Sequence, residues 1–340
     1  MRVAVFNDTR AGGHYGCYGV MQKLHTGLAA RDLHPVFHWP VGRDWRQARD
    51  QLPPRDEIDA LIVNGEGSIH HSKDRPLSFF LAELAALGYD YYRVPSFLIN
   101  ATLYQNEPEV YHLASRFDGI FVRDSGSLDE LNRHGVKGRV VPDLTVALPG
   151  IDCKQHDATR KGIGVTDSVR GGYSKMLRNV AKNIGGDFVP MEVRARPSLR
   201  TATRPFKFVK RLGAYALSLP EAKRRPRNVK AFMRWLHQKE LVITGRYHTV
   251  TMCLRTRTPF IALESNTPKI RWLLNDVFGD TKRLISGAEE LGDAEILDLK
   301  EFTSDEQRKL EQFLRSAEVR VEAMFDEIAE ATRTSRRNFQ

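Results

Sequence analysis

Three cation-bearing side chains, Arg246, His248 and Lys269, follow the ends of two short apolar runs. Leu241-Val242-Ile243-Thr244 reads as a buried strand that stops at Gly245, and Pro259 to Leu263 reads as a second. Arg246 and His248 come directly before Thr249 to Leu254, whose apolar spacing is helical. Behind the second run stand Glu264-Ser265-Asn266 and then Thr267-Pro268-Lys269, where a proline one residue inside a threonine cap opens a helix. Parallel strands that end in polar residues at helix mouths form the ligand edge of an open α/β sheet. The free N–H groups of helix starts favour an anion there. Three cations over two consecutive turns therefore predict a site for a phosphate or a carboxylate.

The N-terminal half carries its own polar strand ends. Arg2 to Phe6 reads as a strand ending at Asn7-Asp8, and a glycine-rich turn from Thr9 to Cys17, with His14 and Tyr15 inside it, leads into a helix from Tyr18 to Arg31. This is not a GxGxxG fingerprint, so its glycines fit a tight turn as well as a ligand. Ala60 to Val63 ends in Asn64-Gly65-Glu66-Gly67-Ser68-Ile69-His70-His71, where glycine on both sides of Glu66 leaves its carboxylate unshielded. Strands at Val94 to Ile99, Gly119 to Val122 and Val140 to Pro142 end at Asn100, at Arg123-Asp124-Ser125 and at Asp143. Helices are expected at Ser78 to Leu87, Glu109 to Ser115 and Ser127 to His134. Such strand–helix alternation predicts a parallel doubly wound sheet.

These elements need two domains, as a chain of 340 residues suggests. The expected layout is an N-terminal Rossmann-like domain over 1–150, a polar break near 150, and a C-terminal Rossmann-like domain over 155–302. A long helix over 303–332 and a basic tail over 333–340 complete it. Within the second domain, strands are predicted at Gly162 to Val165 and Phe188 to Met191, a helix at Tyr173 to Ile184, and edge strands at Leu284-Ile285 and Ile296-Leu297. The fold class is α/β, two Rossmann-like lobes of glycosyltransferase-B shape with a long C-terminal helix. Apolar content of 41% and charged content of 28% fit a globular protein. No apolar run reaches the roughly 18 residues of a membrane span. Three cysteines without metal-type spacing make a reduced, cytoplasmic setting the default.

The strand-end pieces, taken in order, resemble the polysaccharide pyruvyltransferase family. They are the glycine loop after Phe6-Asn7-Asp8, Asn64-Gly65-Glu66-Gly67, Val122 to Ser127, Val141-Pro142-Asp143, Thr244 to Thr249, and Pro259 to Leu263 with Lys269. The resemblance implies transfer of a pyruvyl group from phosphoenolpyruvate to a pair of sugar hydroxyls as a ketal, with no cofactor and no metal. Arg246, Lys269 and Arg123 would clamp the donor, with Gly245, Thr249 and Ser265 around it. His248 would protonate the enol methylene or the leaving phosphate, and Asp143 or Glu66 would take the hydroxyl proton. Asn7, Asp8, His14, Tyr15, Asn64 and His70 would line the acceptor side. Where the family commonly has three glycines, this chain has Gly65-Glu66-Gly67. Two exposed acids at neighbouring strand ends, Glu66 and Asp143, also suit an oxocarbenium-like transition state. The chain is thus also similar to retaining Kdo transferases, in which a CMP-activated sugar would lie against Arg246 and His248 with Asp143 as nucleophile.

The net charge of +10 is concentrated. Residues 194–234 hold thirteen Lys/Arg against one acidic residue, Glu221. Phe206, Phe208, Phe232 and Trp235 are interleaved with the cations, so 204–235 is expected to meet an anionic membrane surface, which would place the protein at the inner face of the cytoplasmic membrane. A lipid-linked or free glycan is the expected acceptor. Nucleic acid is not expected, since no recognition motif accompanies the charge. A non-catalytic anion- or glycan-binding module would use the same pocket but has no need of an acid and a histidine at one cleft.

Overall fold

The computed structural model describes residues 1–150, 160–192, 225–287 and 292–338, with isolated positions between 208 and 223. Residues 151–159, Cys153 among them, and most of the stretch 193–224 lie outside the described residues. About half of the expected membrane-facing segment 204–235 therefore does so too.

Residues 1–150 are built on six strands, β1 (Arg2–Asp8), β2 (His34–Pro40), β3 (Ala60–His70), β4 (Ser96–Tyr104), β5 (Gly119–Val122) and β6 (Arg139–Val140). All pairs are parallel, in the order β2-β1-β3-β4-β5-β6. A second parallel sheet takes β7 (Ile163–Ser168), β8 (Asp187–Phe188), β9 (Leu241–Gly245), β10 (Phe260–Leu263) and β11 (Leu284–Ile285), in the order β11-β10-β9-β7-β8. Each sheet reverses its winding once, between β1 and β3 and between β7 and β9. Those switch points open the crevices in which such sheets bind ligands. The result is a two-lobed, glycosyltransferase-B-like α/β fold.

Burial explains why the strands read as continuous apolar runs. Ala4, Phe6, Leu61 and Val63 belong to one hydrophobic layer, while Val3, Val5, Ala60 and Ile62 belong to the layer on the opposite face. Parallel sheets covered on both sides need apolar residues at every position. β2 is an edge strand with Pro35 and Pro40 inside it. Prolines are tolerated there because one side has no ladder to serve, and they hide the strand from pattern reading.

The helix Ser304–Asn338 joins the lobes and continues past the expected end at Thr332. Leu310, Phe313, Leu314 and Ala317 pack into the C-terminal lobe, and Val321, Met324, Phe325 and Ile328 into the N-terminal one. Phe325 lies so close to the helix Tyr15–Ala29 that a Cβ on Gly27 would fall 2.3 Å from its ring. Lys23 and Arg31 flank this contact with ion pairs to Glu322 at 2.7 and 3.0 Å.

Some local expectations change. Ile296 and Leu297 lie in the helix Asp293–Asp298, not an edge strand; one is buried and the other exposed, which imitates strand alternation. The helix after β10 starts at Lys269 with Pro268 as its cap, so Thr267 is not the capping residue. β3 runs on to His70, carrying the Gly65-Glu66-Gly67 loop within it as a register break between Glu66 and Ile69. Phe325→Ala should lower unfolding stability by about 3–5 kcal/mol, the usual cost of emptying a buried aromatic site; denaturant unfolding measures it, and a loss below about 1 kcal/mol would show that this helix does not hold the N-terminal lobe.

Candidate active site

Asp143 follows β6 and caps the 3₁₀ turn Leu144–Ala147. Its Oδ1 accepts from the Thr145 backbone N–H at 3.0 Å and from the Thr145 hydroxyl at 2.6 Å. Its Oδ2 accepts from Arg123 Nη1 at 2.9 Å and lies 3.5 Å from His248 Nε2, which comes from the other lobe. At 3.5 Å the contact to His248 is an electrostatic one, and the buried Nε2 has no hydrogen-bond partner among the described residues. Asp143 is fully buried, a correction to the exposed strand-end acid that the sequence suggested. Burial raises its proton affinity, but His248, Arg123 and Thr145 outweigh that and hold the carboxyl well below the usual range. Asp143 therefore works from behind, holding His248 and Arg123. His248 fits beside the first turn of the helix Tyr15–Ala29 only because residue 16 is glycine; a Cβ there would fall 2.3 Å from Nδ1.

Arg123 is also buried. Its Nε donates to the Thr102 hydroxyl at 2.7 Å, and its guanidinium lies 4.1 Å from the Tyr247 ring centroid. The remaining nitrogen, Nη2, faces Gly67, as does Lys269 Nζ from the opposite lobe. A Cβ on Gly67 would lie 3.7 Å from the first and 3.6 Å from the second. Lys269 donates to Asn266 Oδ1 at 2.9 Å and has no carboxylate at ion-pair distance among the described residues. Burial, then Arg123, lowers its proton affinity to about 7 despite the opposing effect of Asp124. Two cationic donors thus converge on a space kept open by a missing side chain, and that space suits an anion.

Gly65 and Glu66 do something else. Gly65 lets β3 approach β4, since a Cβ would fall 2.4 Å from that of Ala101. Glu66 has φ of 37°, and its carboxylate turns toward the β1 loop, accepting from Thr9, from Asn64 Nδ2 at 2.8 Å and from the Cys17 thiol at 3.3 Å. It is buried and shielded by these donors, another correction to the sequence reading.

Arg246 forms an ion pair with Asp167 at the end of β7 and lies 3.6 Å from Glu192, while its Nε is buried without a partner. Thr249 is buried with its hydroxyl against Thr166 at 3.3 Å, and Gly245 packs on Ser168. Ser265 donates to Asn266 Oδ1 at 3.1 Å. These three shape the strand ends behind the cluster. On the N-terminal side, Asn7 donates to the Asn64 carbonyl and to Ser68 Oγ. Asp8 is bound by Arg10 and His38. Tyr15 donates to the Pro226 carbonyl at 2.5 Å and stacks on Phe232.

His14 comes to the centre, with its ring 5.5 Å from that of His248. Burial and the neighbouring His248, Arg246, Arg225 and Lys269 push its proton affinity well below the ordinary value. His70 reaches Asn266 across the lobes at 3.4 Å and accepts from Arg75; burial and Arg75 lower its proton affinity to about 3. Sequence reasoning missed Tyr247 and Thr267, whose hydroxyls are buried at the same edge without partners, and also Asn266 and Asp167. Tyr247 had a signal, since it lies between Arg246 and His248.

His14, Cys17 and His248 place their ligand atoms within 4.8 Å of one another, a spacing a soft metal could use. Their other contacts do not suit it. His14 Nδ1 accepts from the Gly16 N–H, the Cys17 thiol donates to Glu66, and burial raises the thiol's proton affinity well above normal. A thiolate is the form that binds metal. The surrounding field, from Arg123, Arg246 and Lys269, favours an anion.

Among solved structures, the chain is similar to UDP-GlcNAc 2-epimerase from Methanocaldococcus jannaschii in complex with UDP-GlcNAc and UDP. The TM-score is 0.52 at 11% identity, over 93% of this chain and 99% of that one. It is also similar to MnaA from S. aureus in its UDP co-structure, with a TM-score of 0.50 at 12% identity, over 92% and 94%. At such identities the likeness shows the fold alone. No curated protein matches the chain by sequence. Residues 23–267, a span holding β3's glycine loop, Arg123, Asp143, Arg246 and His248, match the polysaccharide pyruvyl transferase family, and the chain belongs to that family.

Proposed function

We propose that the protein transfers the pyruvyl group of phosphoenolpyruvate to two hydroxyls of a glycan, forming a ketal and releasing phosphate. The observation that carries this reading is the convergence of Lys269 Nζ and Arg123 Nη2 on the open space at Gly67. A small donor with a phosphate and a carboxylate answers the buried positive charge that the protein leaves without a carboxylate of its own.

In this reading the first sugar hydroxyl adds to C2 of the donor and gives up its proton while C3 gains one, giving a methyl group. The C2–O bond to phosphate then breaks, and the second hydroxyl adds to C2 and loses its proton as phosphate departs. Lys269, Arg123 and Arg246 bind the anionic groups and stabilise the leaving phosphate. His248, positioned by Asp143 at the lobe boundary, moves the proton between hydroxyl and donor. Asp143 is a positioning residue, and Glu66 shapes the loop. The CMP-sugar alternative needs an accessible carboxylate as nucleophile; both Asp143 and Glu66 are buried and already accept hydrogen bonds.

Phosphoenolpyruvate at 100 times its Kd should stabilise the protein by about 2.7 kcal/mol, while CMP and UDP should not. Lys269→Met should weaken donor binding roughly 10- to 100-fold, the worth of a charge-assisted hydrogen bond. A shift with CMP and none with phosphoenolpyruvate would overturn the reading.

Roles separate by substitution. Asp143→Asn should reduce kcat roughly 10²- to 10⁴-fold, the contribution of a positioned proton-transfer group, whereas Glu66→Gln should keep most of it. Equal losses in steady-state assays of phosphate release would contradict the assignment of Glu66.

Binding should also be linked to protons. The Lys269 ammonium, lowered from 10.5 to about 7 in the free protein, regains proton affinity when an anion sits beside it. Between pH 7 and 10 donor binding then takes up a proton and weakens as pH rises. Calorimetry in buffers of different ionisation enthalpy reads this uptake directly; its absence at pH 8 in the wild type, or its persistence in Lys269→Met, would count against it.

A further inference from the structure

A cavity of about 840 Å³ opens beside the glycine-rich turn, bordered by Arg10, Gly13 and Tyr15 but by neither Gly67 nor Lys269. It lies between the helix Tyr15–Ala29 and the segment from Arg225 into the helix Val229–His237. Its volume is that of a pocket for a ligand well above phosphoenolpyruvate in size. Among the described residues no acidic side chain lines it, while Arg10, Arg225, Arg227 and Lys230 do.

The charges are not equivalent. Arg10 is neutralised by Asp8. Arg225 is held by the carbonyls of Pro190, Gly13 and Met191, with its guanidinium 4.3 Å from the Tyr15 ring centroid; among the described residues no carboxylate lies at ion-pair distance, and Asp167 and Glu192 act on it from further away. Arg227 and Lys230 are exposed at the rim, with no ion pair among the described residues. The first turn of the helix Val229–His237 lies beside them; Asn228 Oδ1 caps the Ala231 N–H, which leaves the N–H groups of Val229 and Lys230 without an intrahelical acceptor. Tyr18, 44% exposed, offers an aromatic wall to a sugar ring.

We infer that this cavity is a phosphate-binding acceptor subsite, which takes a glycan carrying a phosphate or diphosphate and directs its hydroxyls toward His248. The inference deepens the proposed pyruvyl transfer and rests on it for the direction of the acceptor. It also gives the described end of the basic segment a role that a solvated face or a flat membrane contact does not explain. The recognition chemistry is Arg227, Lys230 and helix N–H groups on phosphate oxygens, with the exposed Tyr18 beside the sugar. The phosphate could belong to a lipid carrier or to a soluble glycan phosphate.

Titration of inorganic pyrophosphate into the full chain tests this, with phosphoenolpyruvate present to occupy the donor space. Wild type and Lys269→Met should bind pyrophosphate alike, and the Arg227→Ala/Lys230→Ala double variant at least tenfold more weakly. Phosphoenolpyruvate binding in the double variant should be unchanged, which separates failure of this subsite from failure of the donor reading. Equal pyrophosphate binding by the wild type and the double variant, or loss only in Lys269→Met, would overturn the inference. So would vesicles containing phosphatidylglycerol being bound through Arg227 and Lys230 while pyrophosphate is not. Farnesyl diphosphate and a soluble sugar 1-phosphate, titrated in parallel, distinguish the two sources, since the natural one binds more tightly than pyrophosphate.

Discussion

Buried positive charge that the protein's own carboxylates answer only in part is the constraint on which the structure around the cleft depends. Arg123 has Asp143 and Arg246 has Asp167, but Lys269, which is buried, has among the described residues only the amide oxygen of Asn266. An unpaired buried ammonium is costly. Its lowered proton affinity is the sign of that cost. Such an arrangement persists where surrounding structure enforces it, and here both lobes do.

The enforcement comes from topology. Each sheet brings the ends of its switch-point strands to one edge, so Asn7, Glu66, Asp167 and Arg246 arrive at the cleft without any long loop to carry them. Glycines then set the distances. Gly65 draws two strands together, Gly16 admits His248, and Gly67 leaves space between two cations. The helix Ser304–Asn338 packs on both lobes and ties the cleft's walls to one another. Cross-lobe contacts close to the cleft, such as the Ser125 N–H to Asp276 at 2.9 Å, add to that coupling.

Much of the architecture was legible because parallel strands covered on both faces must be apolar throughout, so Ala60 to Val63 and Leu241 to Thr244 stand out. Arg123, Asp143, Arg246, His248 and Lys269 drew notice by following such runs. What was hidden depends on direction and distance. Nothing in Gly65-Glu66-Gly67 says that a positive φ will turn the carboxylate toward Thr9 and Cys17. Asp167 is 79 residues from Arg246, and pairing at that range is set by the sheet order. Asp143 looked like an exposed acid because its neighbours across the cleft belong to a distant segment. β2 escaped through its prolines, and Ile296-Leu297 misled because a short amphipathic helix also alternates.

A crystal structure of the protein with phosphoenolpyruvate tests the central claim most directly. The account predicts the donor over Gly67, with oxygen atoms within hydrogen-bond distance of Lys269 Nζ and Arg123 Nη2 and with C3 on the His248 side. Donor density away from Gly67, or an occupied site in which Lys269 keeps Asn266 as its only partner, would contradict it.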